Sequence, residues 1–233
     1  MALAFTALAA ANANTTNQST AYAGNAGTPI ANDILVCWVM CSGNSTVGTL
    51  SGGGWTWNLL TSFTKTAGAD IISVWYAHAT AATSTTPSYL PSAAATGCII
   101  SCVRVTGQEG TNVPYIRQTA TGAGSTANPT VVFGAAPLTG NGILAFATNA
   151  TNSTTQWTAP TLFTEISEVA YNTPANSTET VSRATGQTNA TLTWTNANVT
   201  AWVTYAIEFY TAGTGPSSPY TDMRGFFGGI NTL

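Results

Sequence analysis

Charge is what this chain has least of: 6% of its 233 residues are Asp, Glu, Lys or Arg, where an ordinary soluble domain carries roughly 25%. Solubility therefore rests on hydroxyls and amides. The basic residues Lys65, Arg104, Arg117, Arg183 and Arg224 are spread singly, so no stripe exists to neutralise a run of phosphates, and nucleic-acid binding is not expected. A net charge of -3 over this length gives no field that would steer a partner from a distance. Long apolar runs are missing too. Nothing approaches the ~20 residues that cross a bilayer as a helix, and no membrane association is expected. The apolar opening from Met1 to Ala13 lacks the positive start of a secretory signal and is read as strand.

Catalytic apparatus is equally sparse. The single histidine, His78, would need a serine and one of Asp33, Asp70 or Asp222 to build a hydrolytic triad, and no Gly-x-Ser-x-Gly turn occurs. Glycoside hydrolysis needs two carboxyls facing across a cleft. Glu165 and Glu168 are the nearest pair, but residues three apart on a regular strand point to opposite faces. Asp33 and Asp70 each stand before an apolar run, where a turn leading into a strand would place an acid. The acids are too dispersed for calcium, and Ser51-Gly-Gly-Gly54 lacks the Gly-Lys-Ser/Thr ending of a phosphate loop. No catalytic, cofactor-binding or metal-binding residue is expected, and the chain is read as no enzyme.

What is abundant is Thr, Ser, Asn, Ala and Gly, a mixture that disfavours helix and suits strands joined by turns. No window sustains a helical apolar period. Strand-like runs separated by short polar breaks occur at 3–9, 33–41, 57–64, 70–79, 97–105, 129–135, 142–149, 162–170, 178–184, 189–195 and 200–210. The expected fold is an all-β, jelly-roll-like antiparallel β-sandwich. The run 34–41 is apolar on both faces and predicts a central strand. In 202–210, Val203, Tyr205, Ile207 and Phe209 alternate with Trp202, Thr204, Ala206 and Glu208, which predicts one wet face. The stretch 106–128 reads as a long connection, with short strands around Tyr115 to Arg117.

Cys37 and Cys41 lie in one apolar run, and Cys98 and Cys102 in another. Four strand residues span roughly 13 Å, too far for a bond within either pair and for four thiolates to converge on zinc. Two readings remain: free buried thiols acting as small hydrophobes, or cross-strand bonds with Cys37 facing Cys102 and Cys41 facing Cys98. Trp55, Trp57, Trp157, Trp194 and Trp202, with Tyr76, Tyr89 and Tyr171, are read as core, the alternative being a sugar-stacking platform.

A faint internal repeat runs through the chain. Asn32 to Val36 resembles Asn141 to Ala145; Gly54-Trp55-Thr56 with Leu60 resembles Gln156-Trp157-Thr158 with Leu162; Val74-Trp-Tyr76 resembles Val169-Ala-Tyr171; and Cys98 to Val105 resembles Trp202 to Phe209. One sandwich over 1–210 is expected, built of pseudo-repeats at about 1–107 and 108–210. Beyond it, 211–233 is rich in Gly and Pro and cannot continue a sheet, so it reads as an extended C-terminal arm. The arm carries Tyr220, Met223, Arg224, Phe226, Phe227, Ile230 and Leu233, expected to be partner-binding.

The order of Asp33 to Met40, Gly54-Trp55-Thr56, Val74 to Ala79, the Cys98-to-Val105 strand and a similar second half resembles the sandwich domains of tailed-bacteriophage virion proteins, including small cement or decoration proteins and tail-associated proteins. The resemblance covers roughly 1–210. It implies a non-enzymatic virion protein, assembled in the host cytoplasm, that binds the major capsid protein or another virion protein as a homo-oligomer, a trimer being the expected form. The alternative within it is a tail-fibre or receptor-binding protein that recognises host-surface glycans.

Overall fold

A computed structural model describes residues 2–65, 70–108, 115–125, 128–151, 157–196 and 200–212. Every regular element among them is a strand. The first half contains β1 (Ala4–Ala7), β2 (Asn12–Asn14), β3 (Tyr22–Ala23), β4 (Ile34–Ser42), β5 (Thr49–Ser51), β6 (Asn58–Thr64), β7 (Ile71–His78), β8 (Ser88–Leu90) and β9 (Gly97–Thr106). The second contains β10 (Ile116–Gly124), β11 (Thr130–Val132), β12 (Gly142–Asn149), β13 (Trp157–Thr158), β14 (Thr164–Tyr171), β15 (Asn176–Arg183), β16 (Thr191–Thr193), β17 (Thr195–Asn196) and β18 (Trp202–Phe209).

The protein is an all-β antiparallel sandwich, and each large sheet comes from one half of the chain. The first sheet runs β1-β9-β4-β7-β6, with β2 also on β9; the second runs β10-β18-β12-β15-β14. The order is the same in both. Between the sheets lies the main core, in which Trp38 stacks on Phe146 at 5.0 Å and Phe63 meets Tyr205 at 5.9 Å. Ile34, Val36, Val74, Ile99 and Val103 from the first sheet pack there against Leu144, Val203, Ile207 and Phe209 from the second.

Crossing connections explain the rest of the architecture. Because β7 and β9 flank β4, the chain between them must pass over β4, and the chain from β4 to β6 must pass over β7. These passages carry β8 and β5, which join β3 in a small sheet ordered β3-β8-β5. It covers a second cluster on the outer face of the first sheet, including Leu35, Cys37, Val39, Trp75 and Tyr89. The second half repeats the device: β11 pairs β16 and β13 pairs β17, covering Val131, Ile143, Val181, Leu192 and Trp194.

Two expectations about individual strands are overturned here. β18 is buried along its whole length, so 202–209 has no wet face. The stretch 106–128 holds β10, an edge strand of nine residues paired antiparallel with β18, with one slip between Ile116 and Gln118. Its sequence, Ile-Arg-Gln-Thr-Ala-Thr-Gly-Ala-Gly, lacks apolar alternation, because backbone pairing rather than a buried face holds an edge.

The strand correspondence also moves the register of the repeat. Cys37 lies opposite Cys102 and Trp75, as Ala145 lies opposite Ala206 and Val181. Ile34 therefore corresponds to Gly142, not to Ile143. A slip of one residue exchanges the faces of a strand, and Ile34 faces the inter-sheet core while Ile143 faces outward. Likewise β7 corresponds to β15, whereas Val169 to Tyr171 lies in β14.

Glu208 is fully buried on the outer side of β18 and satisfied by four donors: Arg117 at 2.6 Å, Gln118 at 2.6 Å, the Leu138 amide at 2.9 Å and Asn141 at 2.7 Å. A carboxylate so coordinated fastens β10 and the turn before β12 onto β18. Glu208→Gln should lower unfolding free energy by about 2–4 kcal/mol in urea denaturation, because it uncouples Arg117 and returns a mismatched donor to the site.

The four cysteines are free and buried, in the opposed pairs Cys37/Cys102 and Cys41/Cys98. Burial pushes the Cys37 and Cys98 thiols well above the ordinary range. Native protein should resist a thiol-specific chromogenic reagent, and all four thiols should titrate once the chain is unfolded without reductant; a titre near zero after unfolding would instead mean two disulfides.

Candidate functional site

The residues that chemistry would recruit fall into three places, and His78 marks the first. It ends β7 and, with Gly54, Trp55, Thr56, Asn58 and Thr80, lines an open cleft of about 310 Å³. Its Nε2 is buried without a partner. The acids that a triad would need are engaged elsewhere. Asp33 caps its own turn by accepting from the Ile30 amide at 2.8 Å and pairs with Arg104 at 2.5 Å, while Asp70 pairs with Lys65 at 2.8 Å. Both aspartates thus serve in turns that lead into strands. Asp222 lies outside the described residues, as do Tyr220, Met223, Arg224, Phe226, Phe227, Ile230 and Leu233.

The second place is an acidic row on the outer side of the second sheet. The β14/β15 pairing slips between Glu165 and Ser167, so Ile166 is an extra residue in the ladder. A bulge of this kind resets the alternation of faces. Glu165 lies opposite Val181 and Glu168 opposite Glu179, and Val181 and Glu179 share a face. Glu165 and Glu168 therefore point the same way, contrary to the regular-strand expectation. Leu60 occupies the same bulge in β6, and both Leu60 and Ile166 turn toward the inter-sheet core.

The row runs from outside to inside: Glu165 is exposed, Glu168 half-buried and Glu179 fully buried. Neither carboxylate oxygen of Glu179 has a hydrogen-bond partner, and the Trp194 indole beside it stands outside bonding geometry. Burial, then the charges of Glu165 and Glu168, push Glu179 up to about 8. Burial, then Glu165, push Glu168 up to about 7, opposed by the Trp157 backbone. Burial thus favours the neutral forms of Glu168 and Glu179, which makes the pair a pH-sensitive element of the fold. Among the described residues no three His, Cys, Asp or Glu side chains converge as a metal site.

The third place lies between the sheets, where Lys65 and Asp70, at the facing ends of β6 and β7, meet Asn176 at the start of β15. Lys65 is buried and its Nζ donates to Asn176 Oδ1 as well as pairing with Asp70. Asn176 Nδ2 donates to Ser42 Oγ at 2.9 Å, and Ser42 Oγ lies 2.5 Å from the Tyr171 hydroxyl. Gly97 makes room for this ring: a Cβ there would stand 3.1 Å from Tyr171. Burial lowers the Lys65 pKa and raises that of Tyr171. The composition held one signal of this cluster: Lys65 is the only lysine in the chain, and it follows an apolar strand directly. Its partner Asn176 carried none, since asparagine is common throughout.

The aromatics are mostly core. Trp57, Trp157, Trp194, Trp202, Tyr89 and Tyr171 are buried, leaving Trp55 and Tyr76 partly exposed. A stacking platform of the full set is therefore not presented to solvent. No helix among the described residues is long and apolar enough to cross a membrane.

A carboxyl whose pKa is raised on folding is still protonated where the unfolded chain has released its proton. Stability is thus greatest below the unfolded value near 4.5 and falls as pH rises toward the folded values of about 7 and 8. Glu179→Gln should leave stability little changed near pH 5 and raise it by about 2 kcal/mol or more near pH 8. Denaturation across that range checks this, and a flat profile in the parent would show that the acids are ionised in the folded protein.

Compared with known proteins, the chain matches no family model, no curated protein and no solved structure.

Proposed function

We propose that this protein is a non-enzymatic structural component of a tailed-phage virion, a cement or decoration protein that binds the capsid surface and stabilises it. The observation that carries the reading is how the chain uses its cations. Lys65, Arg104 and Arg117 are each in an ion pair, and Arg183 is held by the Thr185 and Gly186 carbonyls and Gln187 in its own turn. The few cations of the described residues serve the fold. Facing solvent are hydroxyls, amides and single aliphatic side chains such as Ile30, Leu59, Val132 and Leu162. A surface of that kind favours recognition by shape and contact area over recognition of charged metabolites or nucleic acid. It suits docking onto a repeated protein lattice, with the major capsid protein or another virion protein as partner and a homo-oligomer as the docking unit. The apolar residues of 211–233 are the expected partner-binding set, as an extended segment can be laid into a neighbour's groove.

A receptor-binding role in a tail fibre is the second reading. It is favoured by Trp55, which stands with His78 in an open cleft where a sugar ring could stack.

Purified chain added to particles that lack it should bind saturably and delay their thermal rupture, and a variant lacking 215–233 should fail to bind. Binding retained by the truncated chain would remove the arm from the interface. Failure of the full chain to bind particles, together with glycan-array signals abolished by Trp55→Ala, would transfer the function to the second reading.

A further inference from the structure

Lys65 is an unusual residue to find inside a sandwich. A lysine is almost never fully buried unless paired, and here the chain's only lysine is 3% exposed. Its Nζ touches two different functional groups at once. One is the Asp70 carboxylate at 2.8 Å, and the other is the side-chain amide of Asn176, contributed by the other sheet. A charge pair alone has no need of the amide. An amine, a carboxamide and a carboxyl held together away from water are the reactants and the acid–base catalyst of an amide exchange.

We propose that Lys65 and Asn176 become joined by an intramolecular isopeptide bond, with Asp70 as the proton carrier. Asp70 takes a proton from the Lys65 ammonium, leaving a neutral amine with a free electron pair. Nζ attacks Cγ of Asn176 and sheds a second proton as the new amide forms. The Cγ–Nδ2 bond breaks as Asp70 delivers one proton to Nδ2, and the remaining proton leaves with the released nitrogen. The products are a secondary amide, Lys65 Nζ–Cγ Asn176, and an ammonium ion, with Asp70 again a carboxylate. No electron is gained or lost overall, and no cofactor or second substrate is consumed. The Ser42 hydroxyl, which accepts from Nδ2 at 2.9 Å, holds the departing nitrogen on the side away from the carbonyl. Reactants already in contact need no encounter, which is the largest advantage an intramolecular reaction has.

Supporting conditions are present around the cluster. Burial lowers the Lys65 pKa, which favours the nucleophilic amine. Tyr171, also buried, braces Ser42 from the β14 side. The positions are equivalent in the two halves: the β6/β7 and β14/β15 pairings match Thr64 opposite Ile71 with Ala170 opposite Ser177. Lys65 and Asp70 thus stand at the end of one strand pair as Tyr171 and Asn176 stand at the end of the other. The ends of these two strand pairs meet through the Lys65–Asn176 contact, and Lys/Asp on one side with Tyr/Asn on the other make up the reactive set. The bond would lock the sheets together across a separation of 111 residues, independently of whatever partner the outer surface binds.

Intact-mass measurement of the folded chain tests this directly. Loss of ammonia lowers the mass by about 17 Da relative to the sequence. Trypsin cannot cut after an acylated lysine, so fragments 1–104 and 118–183 should remain linked under denaturing, reducing conditions, with fragmentation locating the bridge at Lys65 and Asn176. Asn176→Ala and Asp70→Asn should each restore the full sequence mass, and circular dichroism of Asp70→Asn should still report the β-fold. A wild-type chain that is folded yet has its full sequence mass and separable fragments would overturn the proposal. So would a mass deficit that persists in Asn176→Ala.

Discussion

Neither large sheet of this protein has a face it can leave to water, and the remaining architecture follows from that constraint. β4, β12 and β18 are buried along their full lengths. One side of each is covered by the opposite sheet. The other side needs a second cover, which the chain supplies from its own crossing connections. β3, β5 and β8 do this for the first sheet, and β11, β13, β16 and β17 for the second. The result is four layers rather than two, with three apolar clusters stacked across them. A chain with so little charge has few side chains able to keep an exposed sheet face soluble, so covering both faces and presenting Thr, Ser and Asn loops is a consistent solution.

Burying so much backbone also buries polar side chains, and each is treated differently. Glu208 is held by four donors and fastens an edge strand and a turn. Glu179, at 0% exposure, has no hydrogen-bond partner and retains its proton instead. The difference is one of neighbours. Arg117, Gln118 and Asn141 surround the first, whereas Glu168, Glu165 and the edge of an indole surround the second. Two acids of the same type on one sheet are thus accommodated differently, one coordinated by donors and the other pushed by burial toward its neutral form.

The functional proposal and the proposed cross-link concern different parts of the molecule. The proposed docking would use the neutral outer layer and 211–233. The Lys65, Asp70 and Asn176 cluster belongs to the seam between sheets, where strand ends of the two halves meet. A protein that stabilises a particle from outside gains from a seam that does not open under load, but neither reading requires the other.

Composition and alternation settled the class of this fold by themselves. Thr, Asn and Gly in place of helix formers exclude long helices, and runs such as Ile34 to Cys41 declare a central strand, because apolar residues on successive positions must face two buried layers. The opposition of Cys37 with Cys102 and of Cys41 with Cys98 was also legible, since strand periodicity leaves few registers. What the sequence could not decide depends on contacts between distant residues. β10 has no apolar period and is a strand because β18 offers it a backbone edge. The alternating run 202–209 looks half-wet until a connection 70 residues earlier folds over Glu208, as the Leu138 bond to it shows. The bulge at Ile166, which places Glu165 and Glu168 on one face, arises from pairing with β15 and leaves no mark in the local residues. Lys65 and Asn176 are 111 positions apart. Only the packing of one sheet on the other makes them neighbours, because a pattern of apolar periods specifies faces, while the meeting of two strand ends depends on how those faces are stacked.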